Sequence, residues 1–193
     1  MMRRRFALPL SLVALLMSAA CGDPPDKEIQ QAQGAIDAAK EVGADEYAHD
    51  EFAAAQAALK NANDAVDQRD YRLALNHALD ARDRAKTAAR QAADRRSAAR
   101  VDADRAVAAA AHALADAQAR LKAAETARVA PKTLTDARRI ITAAEHGVQK
   151  ARTSFDSSDY PGAVKAANGA TSQLQPIART LDSAATAGPR RRH

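Results

Sequence analysis

Residues 71–129 read YRLALNHALDARDRAKTAARQAADRRSAARVDADRAVAAAAHALADAQARLKAAETARV, and this stretch decides the fold. It holds no glycine and no proline, and neither does the wider interval from Ala44 to Ala130. No residue in it is a helix breaker, and strong helix formers (Ala, Arg, Leu, Gln, Lys) dominate it. Apolar residues recur at alternating steps of three and four. Tyr71, Ala74, Ala78, Ala81, Ala85 and Ala88 form one stripe, and Leu114, Ala117, Leu121 and Ala124 form another. That period lays one apolar face along a helix. At 1.5 Å per residue, an unbroken helix over this stretch is ~88 Å long. Its middle, Arg82 to Arg105, carries eight basic and four acidic residues and few large apolar ones, the composition of a solvated helix. Two readings stay open, one continuous helix or a break near Ser97 that separates two bundles.

The same spacing extends on both sides. Ile29, Ala32, Ile36 and Ala39 form a stripe, as do Phe52, Ala55, Leu59, Ala62 and Val66. Downstream lie Leu134, Ala137, Ile141, Ala144, Val148, Ala151 and Phe155, and then Tyr160, Ala163, Ala167, Ala170, Leu174, Ile177, Leu181 and Ala184. Helices with such seams pack in coiled-coil fashion. The stripes also repeat as a set. Positions 29, 32, 36 and 39 map onto 114, 117, 121 and 124 with an offset of 85, and 52, 55, 59, 62 and 66 map onto 141, 144, 148, 151 and 155 with an offset of 89. Asp70-Tyr71 maps onto Asp159-Tyr160 with the same 89. The expected fold class is therefore all-α: an elongated, Ala-rich antiparallel helical bundle, two tandem three-helix units able to share one long helix.

Punctuation supports these boundaries. Asp70 and Asp159 suit N-caps, because a carboxylate accepts a free backbone N–H of the first turn. Gly43 suits the end of the first helix, and Pro131 the start of the fifth. Pro176 lies inside the last stripe and is expected to kink or restart it. The chain then divides into residues 1–20, a signal peptide; 21–27, a tether; 28–100 and 101–187, the two helical units; and 188–193, a basic tail.

The charge balance excludes a nucleic-acid partner. Of 29 basic residues, Arg3, Arg4 and Arg5 precede the body and Arg190, Arg191 and Arg192 end the chain, which leaves 23 basic residues against 24 acidic ones between. A nucleic-acid binder needs clustered basic charge on its folded surface. Aromatic residues make up only 3% of the chain, so its interior must be built largely of alanine.

The N-terminus carries the most specific signal. Arg3-Arg4-Arg5 is followed by the apolar run Phe6–Met17 and then by Ser18-Ala19-Ala20-Cys21. That order is a secretory signal, and the run is shorter than the ~20 apolar residues a membrane span needs. It resembles a bacterial lipoprotein signal. The resemblance implies that the Cys21 thiol, the only thiol in the chain, is fatty-acylated after cleavage before it. Ser18 departs from the leucine usual there. Ordinary cleavage after Ala20 would instead release a soluble body. Two or more acyl chains anchor a protein stably at ~0.8 kcal/mol per buried CH₂. Pro24-Pro25 stiffens the tether behind the anchor. The resemblance to Gram-negative lipoproteins further implies, through their sorting rule, the outer membrane, because Gly22 rather than aspartate follows the cysteine. The expected location is thus the cell envelope, facing the periplasm.

No catalytic, cofactor-binding or metal site is expected. Glu46 and His49 have the Glu-x-x-His spacing of carboxylate-bridged di-iron bundles, but His77, His112 and His146 each have alanine three positions before them, so the second copy such a site requires is missing. Gly-rich phosphate loops and Gly-x-Ser-x-Gly elbows are absent as well. Tyr71 and Tyr160 each open a helix on its apolar stripe and read as core plugs over the tight turns rather than as ligand-stacking residues.

Glu46-Tyr47-Ala48, then Phe52-Ala-Ala-Ala-Gln-Ala-Ala-Leu59, then Arg69-Asp70-Tyr71 with Ala74, Ala78 and Ala81, resemble bacterial envelope lipoproteins carrying the domain of unknown function numbered 4398. The resemblance covers about residues 27–105. It implies two Ala-rich helices around a Gly-Asp-Tyr-like turn, with Arg69 standing where glycine is common, and an envelope location. It assigns no activity. The expected role is that of a lipid-anchored spacer, scaffold or adaptor, with an envelope protein or peptidoglycan as partner. A homo-oligomerising module and, lower, a carrier of an apolar ligand are the alternatives.

Overall fold

Helix propensity and the three–four apolar step are realised throughout the described residues. A computed structural model describes residues 23–187; the signal segment, Cys21, Gly22 and the tail 188–193 lie outside the described residues. Six helices take up about 90% of the described residues, and no strand occurs among them. They are α1 (Asp26–Glu41), α2 (Ala44–Tyr47), α3 (His49–Asp67), α4 (Tyr71–Thr126), α5 (Pro131–Asp156) and α6 (Tyr160–Thr186). The chain divides between Asp94 and Arg95 into two compact units.

Unit one contains α1, α2, α3 and the first part of α4. Its core joins Ala32, Ile36 and Ala39 of α1 to Phe52, Ala55 and Leu59 of α3 and to Ala81, Ala85, Ala88 and Ala92 of α4. Most of these are alanines that are fully shielded. A methyl group contributes little area, so burial is worth only ~0.8 kcal/mol per carbon. What alanine allows instead is close approach of helix backbones and many dispersion contacts per residue.

Unit two contains the rest of α4 with α5 and α6. One cluster joins Ala110 and Ala117 of α4, Ile141, Ala144, Val148 and Ala151 of α5, and Ala167, Ala170 and Leu174 of α6. A second, nearer the 127–130 loop, joins Ala124, Val129, Ala137, Ile177 and Leu181. A third, at the α5–α6 turn, joins Ala103, Tyr160 and Ala163. No charged or polar side chain is buried among the described residues.

The helix α4 is continuous for 56 residues and ends at Thr126, three residues short of the glycine-free stretch that defines it in sequence. Residues 93–98 within it are all exposed, in keeping with a composition that holds charged and small residues and no large apolar one. The end comes at Thr126 because Arg128 takes a left-handed conformation, with φ 55°. The Arg128 amide then donates to Glu125 and the Val129 amide to Ala124, which closes the last turn and caps its free carbonyls in a Schellman arrangement. Val129 packs back on Ala124 beneath it.

The two Asp–Tyr turns match bond for bond at the offset of 89. The Asp70 amide donates to Ala65 at 2.9 Å and the Asp159 amide to Ser154 at 2.8 Å. Arg69 and Ser158 are left-handed, with φ 59° and 64°. The Asp70 carboxylate accepts the Leu73 amide at 3.0 Å, and Asp159 accepts that of Gly162 at 2.9 Å. Each aspartate therefore satisfies a first-turn donor that the helix itself cannot.

The single turn α2 is not part of the sequence expectation, and the expected restart at Pro176 does not occur. Ala48, at φ −138°, separates the single turn α2 from α3, so the second limb of unit one is broken where that of unit two is continuous. Pro176 does not divide α6. It lies on the exposed side of the helix, where the carbonyl four residues earlier, deprived of its partner, is open to water.

Candidate functional site

The one residue that the sequence marks for chemistry, Cys21, lies outside the described residues. What the structure describes is how the chain leaves it. Residues 23–25 are non-helical, α1 begins at Asp26, and the Ile29 amide donates to the Pro25 carbonyl at 3.0 Å. Asp26 and Glu28 fall in the first turn, where negative charge complements the helix dipole. Helical order therefore begins within five residues of Cys21.

The other sequence candidates disperse. Glu46 and His49 are exposed, as are His112 and His146, and His77 is half-buried. Among the described residues, no group of three His, Cys, Asp or Glu side chains is placed to hold a metal ion. Tyr160 is buried against Ala103 and Ala163 and meets Phe155 at 5.7 Å between ring centroids, tilted by 60°. Tyr71 is only half-buried. The core-plug reading thus holds for Tyr160 and is partial for Tyr71, over which no further helix lies among the described residues. In the Arg82–Arg105 belt, Arg84 Nε bonds Asp80 at 2.9 Å and its Nη1 reaches Glu51 of α3 at 3.4 Å. The hydrogen bond and charge of Asp80, with help from Glu51, raise the Arg84 pKa, which leaves a permanently cationic staple.

Among the surface grooves of unit two, two run along helix–helix contacts. One, of about 430 Å³, runs between α4 and α6 over Ala113, Leu174 and Ala178, with Asp116, Arg120 and Arg179 on its rim. Arg120 is ion-paired to Asp182 across the two helices. The other, of about 390 Å³, lies along α5 and α6. Its floor is small because Gly147 faces Ala170: a Cβ on Gly147 would stand 3.1 Å from the Ala170 Cβ. Lys150 and Lys165 border it. Ser154 and the capping Asp159 also line this second groove. Sequence reasoning did not anticipate either groove, although the glycines of α5 and α6 were a signal of small residues at a helix contact.

Comparison with known proteins adds one match. Residues 27–104 match the family described as Domain of unknown function (DUF4398). That interval begins at the start of α1 and ends in α4, so it takes in the whole helical part of unit one and none of α5 or α6. The resemblance to that family is thereby shown over these residues. No curated protein and no solved structure matches the chain.

Proposed function

We propose that this chain is a non-catalytic envelope lipoprotein, anchored through acylated Cys21, whose helical units serve as a spacer, scaffold or adaptor on the periplasmic side of the membrane. The observation that carries the reading is the order Arg3-Arg4-Arg5, Phe6–Met17, Ser18-Ala19-Ala20-Cys21, with the chain's sole cysteine at the cleavage point. Three features support it. A lone cysteine has no intramolecular disulfide to form, and it stands at the position where acylation would follow cleavage. The lead into α1 is short and proline-stiffened, which suits a body held close to its anchor. The described body offers long helical surfaces tied by ion pairs such as Arg120–Asp182 and Arg84–Glu51.

The partner class that fits is an envelope protein or peptidoglycan. The test is metabolic labelling of the full chain with a palmitate analogue, beside Cys21→Ser. Label on the parent and none on the variant, together with flotation of the parent with membranes, is the expected result. An unlabelled, freely soluble parent would remove the membrane from this account. Cross-linking in intact envelopes followed by mass spectrometry then identifies what the body touches.

A further inference from the structure

The two units differ at the ends that carry their Asp–Tyr turns. In unit two, Tyr160 and Ala163 are covered by α4: Ala103 is buried with them, and Ala99, Val107, Phe155 and Val164 pack around the cluster. At the offset of 89, Phe155, Tyr160, Ala163 and Val164 correspond to Val66, Tyr71, Ala74 and Leu75. Ala74 is fully buried, yet Val66 and Tyr71 are only half-buried and Leu75 is 36% exposed. None of these four belongs to the core cluster of unit one.

Among the described residues, the difference is one of helix length: α1 starts too late to cover this end. At the offset of 85, the covering residues Ala99, Ala103 and Val107 correspond to positions 14, 18 and 22, whereas α1 begins only at Asp26. Cleavage before Cys21 removes the first two of these positions. No helix among the described residues is therefore left to lay over the patch.

Topology says what lies nearby. Residues 42–48 return the chain from α1 to α3, and the two helices pack against each other. The start of α1 and the α3–α4 turn are consequently at the same end of unit one. Cys21 precedes Asp26 by five residues, and five residues span at most ~18 Å.

We propose that the patch formed by Val66, Tyr71 and Leu75 seats in the headgroup–acyl boundary of the bilayer that holds Cys21. The proposal rests on the lipid-anchor reading. Tyrosine has an apolar body and a polar tip and is enriched at that boundary. The exposed Arg69 and Arg72 beside it have long stems that reach headgroups. Asp70 is engaged by the Leu73 amide, and Asp67 brings the local charge near balance, so apolar burial rather than net charge makes the contact. The anchor supplies high effective concentration, which lets so small a patch stay seated.

The chain has no tryptophan, so one introduced indole reports its own surroundings. The acylated full chain carrying Leu75→Trp is reconstituted in phospholipid vesicles whose acyl chains are brominated, beside Val42→Trp at the opposite end of unit one. The expected result is flotation of both proteins, with Trp emission at 75 blue-shifted and quenched several-fold more than at 42. A second probe is a nitroxide on Leu75→Cys, whose thiol stays free because Cys21 is acylated; it reads depth without the larger ring. Flotation with equal, water-like emission at 75 and 42, or equal quenching of both, overturns the docking and leaves the anchor standing. Failure of the parent chain to float overturns the anchor, and the docking with it.

Discussion

Unit one and unit two solve the same packing problem with different side chains. On α4 in unit one, Ala74, Ala78, Ala81, Ala85, Ala88 and Ala92 occupy both positions of the repeat, and all are fully buried. In unit two the buried residues of α4 are Ala103, Ala110, Ala117 and Ala124, one per seven, with half-buried Val107, Leu114 and Leu121 between them. Opposite them stand large side chains: Ile141 and Val148 on α5, and Tyr160, Leu174, Ile177 and Leu181 on α6. In the core cluster of unit one only Ile36, Phe52 and Leu59 exceed alanine in size. A seam of alanines draws helices together and leaves little area to lose. A seam of alternating small and large residues interdigitates and concentrates stability in a few side chains.

The largest expected difference tests that concentration. Leu174 is 1% exposed in unit two, and Leu59 is 8% exposed in unit one. Leu174→Ala should cost ~3–4 kcal/mol and Leu59→Ala ~2–3 kcal/mol, within the range for buried leucine truncations. Amide hydrogen exchange in α6 and in α3 reads each loss locally. Equal losses at the two sites would mean that the alanine seam holds its leucine as firmly as the mixed seam does, and the comparison would break.

The caps come next, and here the units should agree. Asp70→Ala and Asp159→Ala remove equivalent bonds to Leu73 and Gly162. Each should lower stability by ~1 kcal/mol. A loss confined to one of them would show that the matching turns are not energetically equivalent.

These aspartates were legible in the sequence, because a capping carboxylate ahead of an apolar-periodic run has a local cause. The stripes were legible for the same reason, down to individual alanines such as Ala32, Ala117 and Ala144, all fully buried. What was not legible depends on contacts distant in sequence. Nothing local in Ala44–Tyr47 announces the separate turn α2 ahead of α3, because its register depends on the packing of Ala44 and Ala48 in the core. The burial of Tyr160 and the half-exposure of Tyr71 follow from whether a third helix reaches them, although the two residues sit in matching turns. For the candidate site, the sequence points to Cys21 and to a body without catalytic groups. The patch beside Tyr71 emerges only when the two turns are compared in three dimensions.

Arg69, Arg128 and Ser158 form a third set. Each holds a positive φ, between 55° and 64°, without being glycine. Arginine and serine carry a Cβ that crowds this region, whereas glycine enters it freely. Arg69→Gly, Arg128→Gly and Ser158→Gly should each stabilise the chain by about 0.5–1 kcal/mol, read by chemical denaturation. The value at Arg69 bears on the family resemblance, since glycine is common at that position. A destabilising Arg69→Gly would mean that the arginine side chain makes a compensating contact, with Asp67 or Asp70 the nearest carboxylates in sequence.

The smallest effect sharpens the comparison at the helix contacts themselves. Gly34 in α1 has nothing within 4 Å of an added Cβ, whereas Gly147 in α5 would bring its Cβ to 3.1 Å from that of Ala170. A mid-helix glycine costs about 0.5–1 kcal/mol against alanine through backbone entropy. Gly34→Ala should recover that amount. Gly147→Ala gains the same entropy but meets a methyl group fixed directly to the α6 backbone, so the helices must separate by a few tenths of an ångström. Loss of dispersion along the α5–α6 contact then offsets the gain, and the net change should lie near zero. In unit one the residue at the matching position is Ala58, buried at 6%, so α3 and α4 already tolerate the methyl that α5 and α6 exclude. If Gly147→Ala stabilised as much as Gly34→Ala, α5 and α6 would have room to spare, and the close approach ascribed to Gly147 would be an accident of sequence rather than a requirement of packing.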